Sequence, residues 1–132
     1  MNRQVRTVRQ PVTLVASADH VWHDEIFRRL DRLGAIVLPA VVIYEAREVI
    51  ECHSEWLDLV ILEEPFGVIL SELTELRDLR PELHILGCAY DKKTQARFIQ
   101  DGCTEIDSMM GRSLMERIAR IITEIQGHLT VH

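Results

Sequence analysis

The sequence predicts an α/β fold in which helices cover both faces of a parallel β-sheet. Short apolar segments alternate along the chain with segments whose apolar residues recur at helical spacing, the pattern of repeated βαβ units. The most apolar segment, residues 59–62, shows no polar alternation, as expected for a strand that is buried on both faces. At 132 residues the chain has the length of a single domain with its own core.

Five predicted strands alternate with five predicted helices. The strands are residues 11–16, 35–40, 56–62, 84–89 and 103–106. The helices are residues 19–33, 44–53, 92–101 and 113–126, with helix three within residues 67–83 and ending before Pro81. Ser17 or Asp19 is a suitable N-cap for the first helix, and Gly34 suits its C-terminal end. Pro39 places the second strand at an edge of the sheet or ends it there, because proline cannot donate to a strand ladder.

Right-handed crossovers between consecutive strands restrict the topologies that this alternation allows. The flavodoxin-like strand order 2-1-3-4-5 fits best, because the second strand carries the proline and the third is the most apolar. We therefore predict a three-layer (βα)5 sandwich over residues 11–127. Residues 1–10 are predicted to form a basic N-terminal tail, and residues 128–132 a C-terminal tail or the start of a linker.

Composition excludes several classes of function. The net charge of −6 argues against broad binding of nucleic acid or of anionic membranes. Arg3, Arg6 and Arg9 make the tail basic, and we expect a solvated terminus there, the alternative being contact with an acidic partner. Three cysteines without CxxC spacing suggest neither a disulfide framework nor a zinc site. The lack of a signal peptide and of a long apolar run predicts a cytoplasmic protein.

Residues 58–67, with the sequence DLVILEEPFG, resemble the central strand of response-regulator receiver domains. In that family the last residue of the strand is the aspartate that accepts a phosphoryl group, and here the position holds Glu63. The resemblance extends from residue 12 to residue 125, through segments 45–49, 79–83, 89–91 and 101–103. It implies the flavodoxin-like fold and a part in two-component signal transduction.

The resemblance also implies a site that this sequence lacks. In the family, two acids after strand one bind Mg²⁺ with the aspartate, a hydroxyl residue ends strand four, and a lysine ends strand five. Here Ser17 and Ala18 stand at the acid pair with Asp19 nearby, and Cys88 stands at the hydroxyl. The lysine position falls at Met109, or one step away at Ser108 or Met110.

These departures predict a degenerate pocket without phosphoryl transfer. Glu63 moves the carboxylate oxygens by about an ångström, a shift that can cost ~10²-fold in rate. Mg²⁺ prefers several anionic oxygen ligands, so its binding is predicted to be weak or absent. Glu63 is interpreted as a relic of the phosphorylation site, the alternative being a permanent mimic of the phosphorylated state.

The surface formed by helix four, strand five and helix five is where receiver domains commonly dimerise or dock their outputs. Here it carries a mixed set of residues, namely Tyr90, Arg97, Glu105, Arg112, Arg117 and Arg120. Mixed charge suits a two-fold homodimer, and it also suits a solvated face. The position near Ile106 is aliphatic, so the aromatic partner that usually couples strand five to the switch is missing.

Other candidate residues are interpreted as structural. Cys88 and Cys103 are expected to be small core residues without a redox role. His20 and His23 lie three positions apart on a helix and are expected at the surface, without a third ligand for a metal. Trp22 and Trp56 are expected to pack, although a partly exposed tryptophan can anchor a partner.

The leading hypothesis is a degenerate, phosphorylation-independent receiver-like domain that acts as a protein-interaction module in bacterial signalling or transcription control, and is not an enzyme. The first alternative is a receiver that is phosphorylated through unusual acids. The second is a flavodoxin-like domain that binds a nucleotide or another small molecule, against which the lack of a GxGxxG or P-loop motif argues.

Overall fold

The protein is described by a computed structural model that covers residues 9–109 and 111–129. Its strands are β1 (Val12–Ala16), β2 (Ile36–Ala40), β3 (Leu57–Glu63), β4 (His84–Cys88) and β5 (Glu105–Asp107). Its helices are α1 (His20–Arg32), α2 (Ile43–His53), α3 (Leu70–Leu79), α4 (Lys92–Gln100) and α5 (Arg112–Leu129). The strands are parallel and lie in the order β2-β1-β3-β4-β5, which confirms the predicted flavodoxin-like topology.

The ends of α1 follow local sequence signals. The Asp19 carboxylate accepts hydrogen bonds from the backbone N–H groups of Val21 and Trp22, each at 3.1 Å. These bonds satisfy two donors that the first helical turn leaves unpaired, so Asp19 is the N-cap. Gly34 follows the helix with a φ of +80°, a conformation that costs glycine little.

Two apolar layers enclose the sheet, as alternation of side chains along buried parallel strands requires. On one face, Leu14, Val60 and Ile85 pack beneath residues of α2, α3 and α4. On the other face, Val15 and Ile61 pack with the apolar stripes of α1 and α5. All seven residues of β3 are buried, so the sheet is organised around its central strand as predicted.

Some element boundaries differ from the predicted ones. The chain after β3 first forms a 3-10 helix, Glu64–Ile69, because Pro65 suits a tight first turn, and α3 begins only at Leu70. Strand β5 lies at Glu105–Asp107 rather than at residues 103–106. Helix α5 continues to Leu129, beyond the predicted end at residue 126.

A buried carboxylate at the start of β3 fixes the entry of the chain into the sheet. The pairing of β1 with β3 skips Asp58 in a bulge, because Val12 pairs with Leu57 while the next residue pairs with Leu59. Asp58 accepts two hydrogen bonds from the Arg9 guanidinium and one from Val12 N–H, all at 2.8 Å. Arg9 is therefore tied to the domain, and the prediction of a solvated tail is wrong for this residue. Residues 1–8, with Arg3 and Arg6, lie outside the described residues.

No helix in the described ranges is long and apolar enough to span a membrane.

Candidate functional site

The carboxyl ends of β1, β3, β4 and β5 form one edge of the sheet, where α/β folds of this kind place their sites. Glu63 is the last residue of β3 and is 9% exposed. Its Oε1 accepts a hydrogen bond from Ser17 Oγ at 2.8 Å and another from Ala18 N–H at 2.6 Å. The loop after β1 thus uses the Glu63 carboxylate as an acceptor within the fold.

The two other loop residues of the predicted pocket also have structural partners. Ser17 Oγ accepts a hydrogen bond from Asp19 N–H at 3.0 Å, in addition to donating to Glu63. Asp19 directs Oδ1 to the first turn of α1, so its carboxylate serves as a helix cap. Ser17, Ala18 and Glu63 are therefore brought together, while the Asp19 side chain is engaged at the helix.

Cys88 ends β4 and lies between Glu63 on β3 and Asp107 on β5 in the strand register. It is fully buried, and burial raises the pKa of its thiol well above its ordinary value, with a further contribution from the negative charge of Asp107. The side chain is a protonated thiol at neutral pH and offers no hydroxyl to an anion. This agrees with the prediction of a small core residue at Cys88.

Strand β5 ends at Asp107, and Met109 remains the position predicted to correspond to the lysine. Met109 lies two residues beyond the strand, is 3% exposed, and packs in the core layer beneath α1 and α5. Met110 lies outside the described residues.

Asp107 forms an ion pair with Arg117 of α5. Its Oδ2 accepts a hydrogen bond from Arg117 Nε at 2.6 Å and from Ser113 Oγ at 3.2 Å. Its Oδ1 accepts one from Ser108 N–H at 2.7 Å. The bond to Asp107 is the main reason that the pKa of Arg117 is raised. The end of β5 therefore carries a carboxylate that is paired with an arginine of α5.

The described residues do not fit a resident Mg²⁺ ion at this edge. A hard dication takes several oxygen ligands, with carboxylates foremost. Oε1 of Glu63 and Oδ1 of Asp19 each already accept two hydrogen bonds. Among the described side chains, no three of His, Cys, Asp or Glu are grouped so as to hold a metal. Weak or absent Mg²⁺ binding remains a prediction.

The predicted interaction surface is partly occupied by contacts within the chain. Glu105 Oε1 accepts hydrogen bonds from both Arg117, at 2.7 Å, and Arg120. Arg120 also donates to Glu124 at 2.8 Å. Tyr90, by contrast, is 69% exposed, and Arg97 and Arg112 are exposed as well. The surface can still receive a partner, but its central charges are already paired.

Two further expectations are corrected. His23 is not at the surface: it is 7% exposed, and its Nε2 lies 3.2 Å from Val15 O. It belongs to the inner side of α1, next to Trp22 and about one turn before Ile26, as helical periodicity alone would have indicated. Trp22 packs as expected, whereas Trp56 is 54% exposed.

The arrangement of strands and helices is the fold of response-regulator receiver domains. The structure is similar to a receiver domain protein from Clostridium thermocellum, with a TM-score of 0.69 and 18% identity over 89% of this chain and 95% of that one. It is also similar to a CheY-like receiver domain protein from Methanospirillum hungatei JF-1, with a TM-score of 0.72 and 16% identity over 91% and 99% of the two chains.

A third similar structure is that of an atypical orphan response regulator, which is described as revealing a phosphorylation-independent regulatory mechanism. The TM-score is 0.68 at 14% identity, over 85% of this chain and 95% of that one. The sequence matches no model of a protein family, and it matches no curated protein significantly. At these identities the similarity establishes the fold.

Removal of the Ser17 hydroxyl is expected to destabilise the protein, because Glu63 loses a donor and Asp19 N–H loses its acceptor. We expect Ser17→Ala to lower the free energy of unfolding by about 2 kcal/mol, the size of a hydrogen bond to a charged group. Urea unfolding followed by circular dichroism measures the change. Ser71→Ala, on the exposed surface of α3, is the matched control and is expected to change it by less than about 0.5 kcal/mol. Equal stabilities would contradict this role of Ser17.

The three cysteines are expected to differ sharply in reactivity. Cys52 is exposed, whereas Cys88 and Cys103 are buried, and burial raises the pKa of the Cys103 thiol to about 12. Ellman's reagent should therefore titrate one thiol in the native protein and all three in guanidinium chloride. Cys52→Ser should abolish the native reaction. Rapid native labelling of Cys88 would show that the end of β4 opens to solvent.

Proposed function

We propose that this chain is a degenerate, phosphorylation-independent receiver-like domain. It acts as a non-enzymatic protein-interaction module in the cytoplasm, within bacterial signal transduction or transcription control. The observation that carries the proposal is the use of Glu63 as an internal acceptor for Ser17 Oγ and Ala18 N–H. A carboxylate whose Oε1 is engaged by two donors is a weaker metal ligand and a weaker nucleophile than a free one, which supports the proposal.

The partners of Glu63 favour a relic over a mimic of the phosphorylated state. A mimic that signals through the fold must engage the ends of β4 and β5. Here the Glu63 carboxylate turns toward the loop after β1, and its β4 neighbour Cys88 is a buried thiol. The β5 position holds Asp107, whose charge is matched by Arg117. Glu63 and Asp107 carry like charges, so no electrostatic attraction couples the ends of β3 and β5 to each other.

A protein partner is the proposed ligand, and the similar atypical orphan regulator supports a role without phosphorylation. The face of α4, β5 and α5 remains the predicted place for that partner or for a homodimer. Tyr90, Arg97 and Arg112 are its exposed residues among those described, although Arg97 lies 3.9 Å from Glu64. Arg117 and Arg120 contact Glu105.

Incubation with Mg²⁺ and acetyl phosphate separates this proposal from its first alternative. Intact-mass spectrometry should detect no added phosphoryl group, under conditions that modify a receiver domain with a complete acid pocket. Glu63→Asp restores the shorter acid alone, and we expect it to remain unmodified because the metal ligands and the lysine are still missing. Incorporation that disappears in Glu63→Ala or Asp19→Ala would instead establish an atypical phosphorylated receiver.

A thermal-shift screen with nucleotides addresses the second alternative, a small-molecule binder. We expect no nucleotide to raise the melting temperature, because the loops at the carboxyl ends of the strands have no glycine-rich phosphate-binding motif. A saturable rise in melting temperature would favour the binder.

A further inference from the structure

The outer edge of β2 presents an interaction surface at the side of the sheet, away from the degenerate pocket. β2 is an edge strand that pairs with β1. Ile36 N–H donates to Pro11 O at 2.7 Å, and Ala40 O accepts from Ser17 N–H at 3.0 Å, so both residues direct their backbone groups toward β1. Because backbone direction alternates along a parallel ladder, Val37 directs its N–H and C=O outward, away from β1.

Two features restrict how this edge can pair. Pro39 shares the outward direction of Val37 but has no N–H to donate. Ala35 N–H is bonded to Leu30 O at 3.0 Å. Among residues 35–39, Val37 is therefore the residue whose backbone presents both a donor and an acceptor outward. The edge admits one mutual pair of backbone hydrogen bonds and resists extended strand addition.

An apolar groove lies beside this edge. A cavity of about 350 Å³ is lined by Arg9, Gln10, Val12, Ile36, Leu38, His53 and Trp56. Within it, Ile36 is 43% exposed and Trp56 is 54% exposed. The Arg9 guanidinium lies 5.4 Å from the centre of the Trp56 ring and is held by Asp58, so these two side chains are fixed before any partner arrives. Tryptophan and arginine are the residues most enriched among those that dominate binding energy.

We propose that a second copy of this chain binds here, with the two β2 strands antiparallel about a two-fold axis at Val37. Each Val37 N–H then donates to the C=O of the other Val37. The axis is perpendicular to the sheet, so Ile36 of one copy faces Leu38 of the other on the side that bears α2. The pairing is self-complementary, as a two-fold interface must be, and it covers the exposed apolar wall of the groove.

Charge favours the antiparallel direction. A second cavity, of about 280 Å³, continues the groove toward the carboxyl end of β2, and Pro39, Glu45 and Glu48 line it. Arg9 stands at the opposite end. Antiparallel pairing brings the acidic end of one copy toward the end of the other that carries Arg9, which is bonded to Asp58 but still 30% exposed, while parallel pairing would bring like ends together.

The proposed assembly closes on itself. Standard interfaces bury about 800 Å² on each partner, roughly a tenth of the 7807 Å² surface of the described chain. The edges left free in the dimer are the two β5 strands, which have three residues each and are too short to continue the sheet readily. The dimer therefore does not propagate into filaments, and it leaves the face of α4, β5 and α5 available to another protein.

Sedimentation velocity over protein concentrations from about 1 μM to about 1 mM tests the proposal. We expect a reversible dimer in which Val37→Pro and Ile36→Lys each raise the dissociation constant about tenfold or more. Neither change removes a bond to β1, because the Val37 N–H points outward and the Ile36 side chain is partly exposed. Circular dichroism establishes that each variant is folded. Ile99→Lys, at a 55% exposed apolar position on α4, is the matched control and should leave the dimer intact.

Hydrogen exchange supplies a second readout that does not depend on the variants folding. The Val37 amide should exchange more slowly as the protein concentration rises, while exposed amides in α4 remain unchanged. A monomer at all concentrations would overturn the proposal. A dimer lost in Ile99→Lys but kept in both β2 variants, or a Val37 amide indifferent to concentration, would overturn it too. Each result is independent of whether the pocket accepts a phosphoryl group.

Discussion

Replacement of Gly87 by alanine is expected to destabilise the domain by about 3 kcal/mol, at the upper end of typical overpacking costs. Gly87 lies in β4, between Leu62 of β3 and Ile106 of β5, beneath the Phe98 ring of α4. A methyl group there would lie 2.5 Å from Phe98 Cδ2 and 2.7 Å from Cys103 Sγ. Both neighbours are core residues with little room to move, so α4 must lift from the sheet.

The matched control for this change is Gly127→Ala in α5. Apart from its chain neighbours and the backbone of its own helix, no atom lies within 4 Å of the added methyl group at Gly127, and alanine favours a helix over glycine by up to about 1 kcal/mol. The same substitution should therefore stabilise the protein at one glycine and destabilise it at the other, as measured by urea unfolding. Phe98→Leu should offset part of the cost in the Gly87→Ala background, because the two positions share one space. A Gly87→Ala protein as stable as the parent would contradict this packing.

Replacement of Asp58 by alanine is expected to cost about 3 kcal/mol, the lower end of the range for breaking a buried ion pair. The Asp58 side chain is 5% exposed and Arg9 is 30% exposed, so the arginine regains part of its hydration when the carboxylate is lost. Val12 N–H loses its acceptor inside the protein, which adds the penalty of an unsatisfied donor. Arg80 also lies near Asp58, with Nη2 3.6 Å from Oδ1, but it stays anchored by its bonds to Ser54 O and Leu57 O.

A surface ion pair of equal length is the control for Asp58. Arg47 and Glu72 lie 2.8 Å apart, but their side chains are 51% and 38% exposed. Arg47→Ala should cost less than about 1 kcal/mol, because exposed pairs contribute little. Chemical denaturation compares the two, and a double-mutant cycle on Arg9 and Asp58 isolates their coupling. Equal losses of unfolding free energy at the two sites would show that burial of Asp58 does not determine the strength of its ion pair.

The fold was predictable because each element carries its own local signal. Apolar runs without alternation indicated covered strands, and Asp19, Gly34 and Pro39 marked a helix start, a helix end and an edge strand. The bulge at Asp58 was not predictable, because an acid inside an apolar run has no periodic signature. Its role depends on Arg9, which lies 49 positions earlier in the sequence.

The pocket was predictable in composition but not in geometry. The resemblance identified Glu63, Ser17, Ala18 and Cys88, and the structure does bring these positions to one edge of the sheet. It gave no structural role to Asp107, because a three-residue strand offers too few residues to fix its register from sequence. The pair of Asp107 with Arg117 spans ten positions and two elements, and nothing in local spacing distinguishes it from solvated charge.

Binding of Mg²⁺ together with beryllofluoride, a stable stand-in for a phosphoryl group on a carboxylate, tests the central claim most directly. Fluorine NMR distinguishes bound from free beryllofluoride, and crystals grown with both components would show where they lie. With Glu63 engaged by Ser17 and Ala18, and Asp107 paired with Arg117, we expect the spectrum of free beryllofluoride alone. A bound signal that requires Mg²⁺ and is lost in Glu63→Ala would contradict a degenerate pocket.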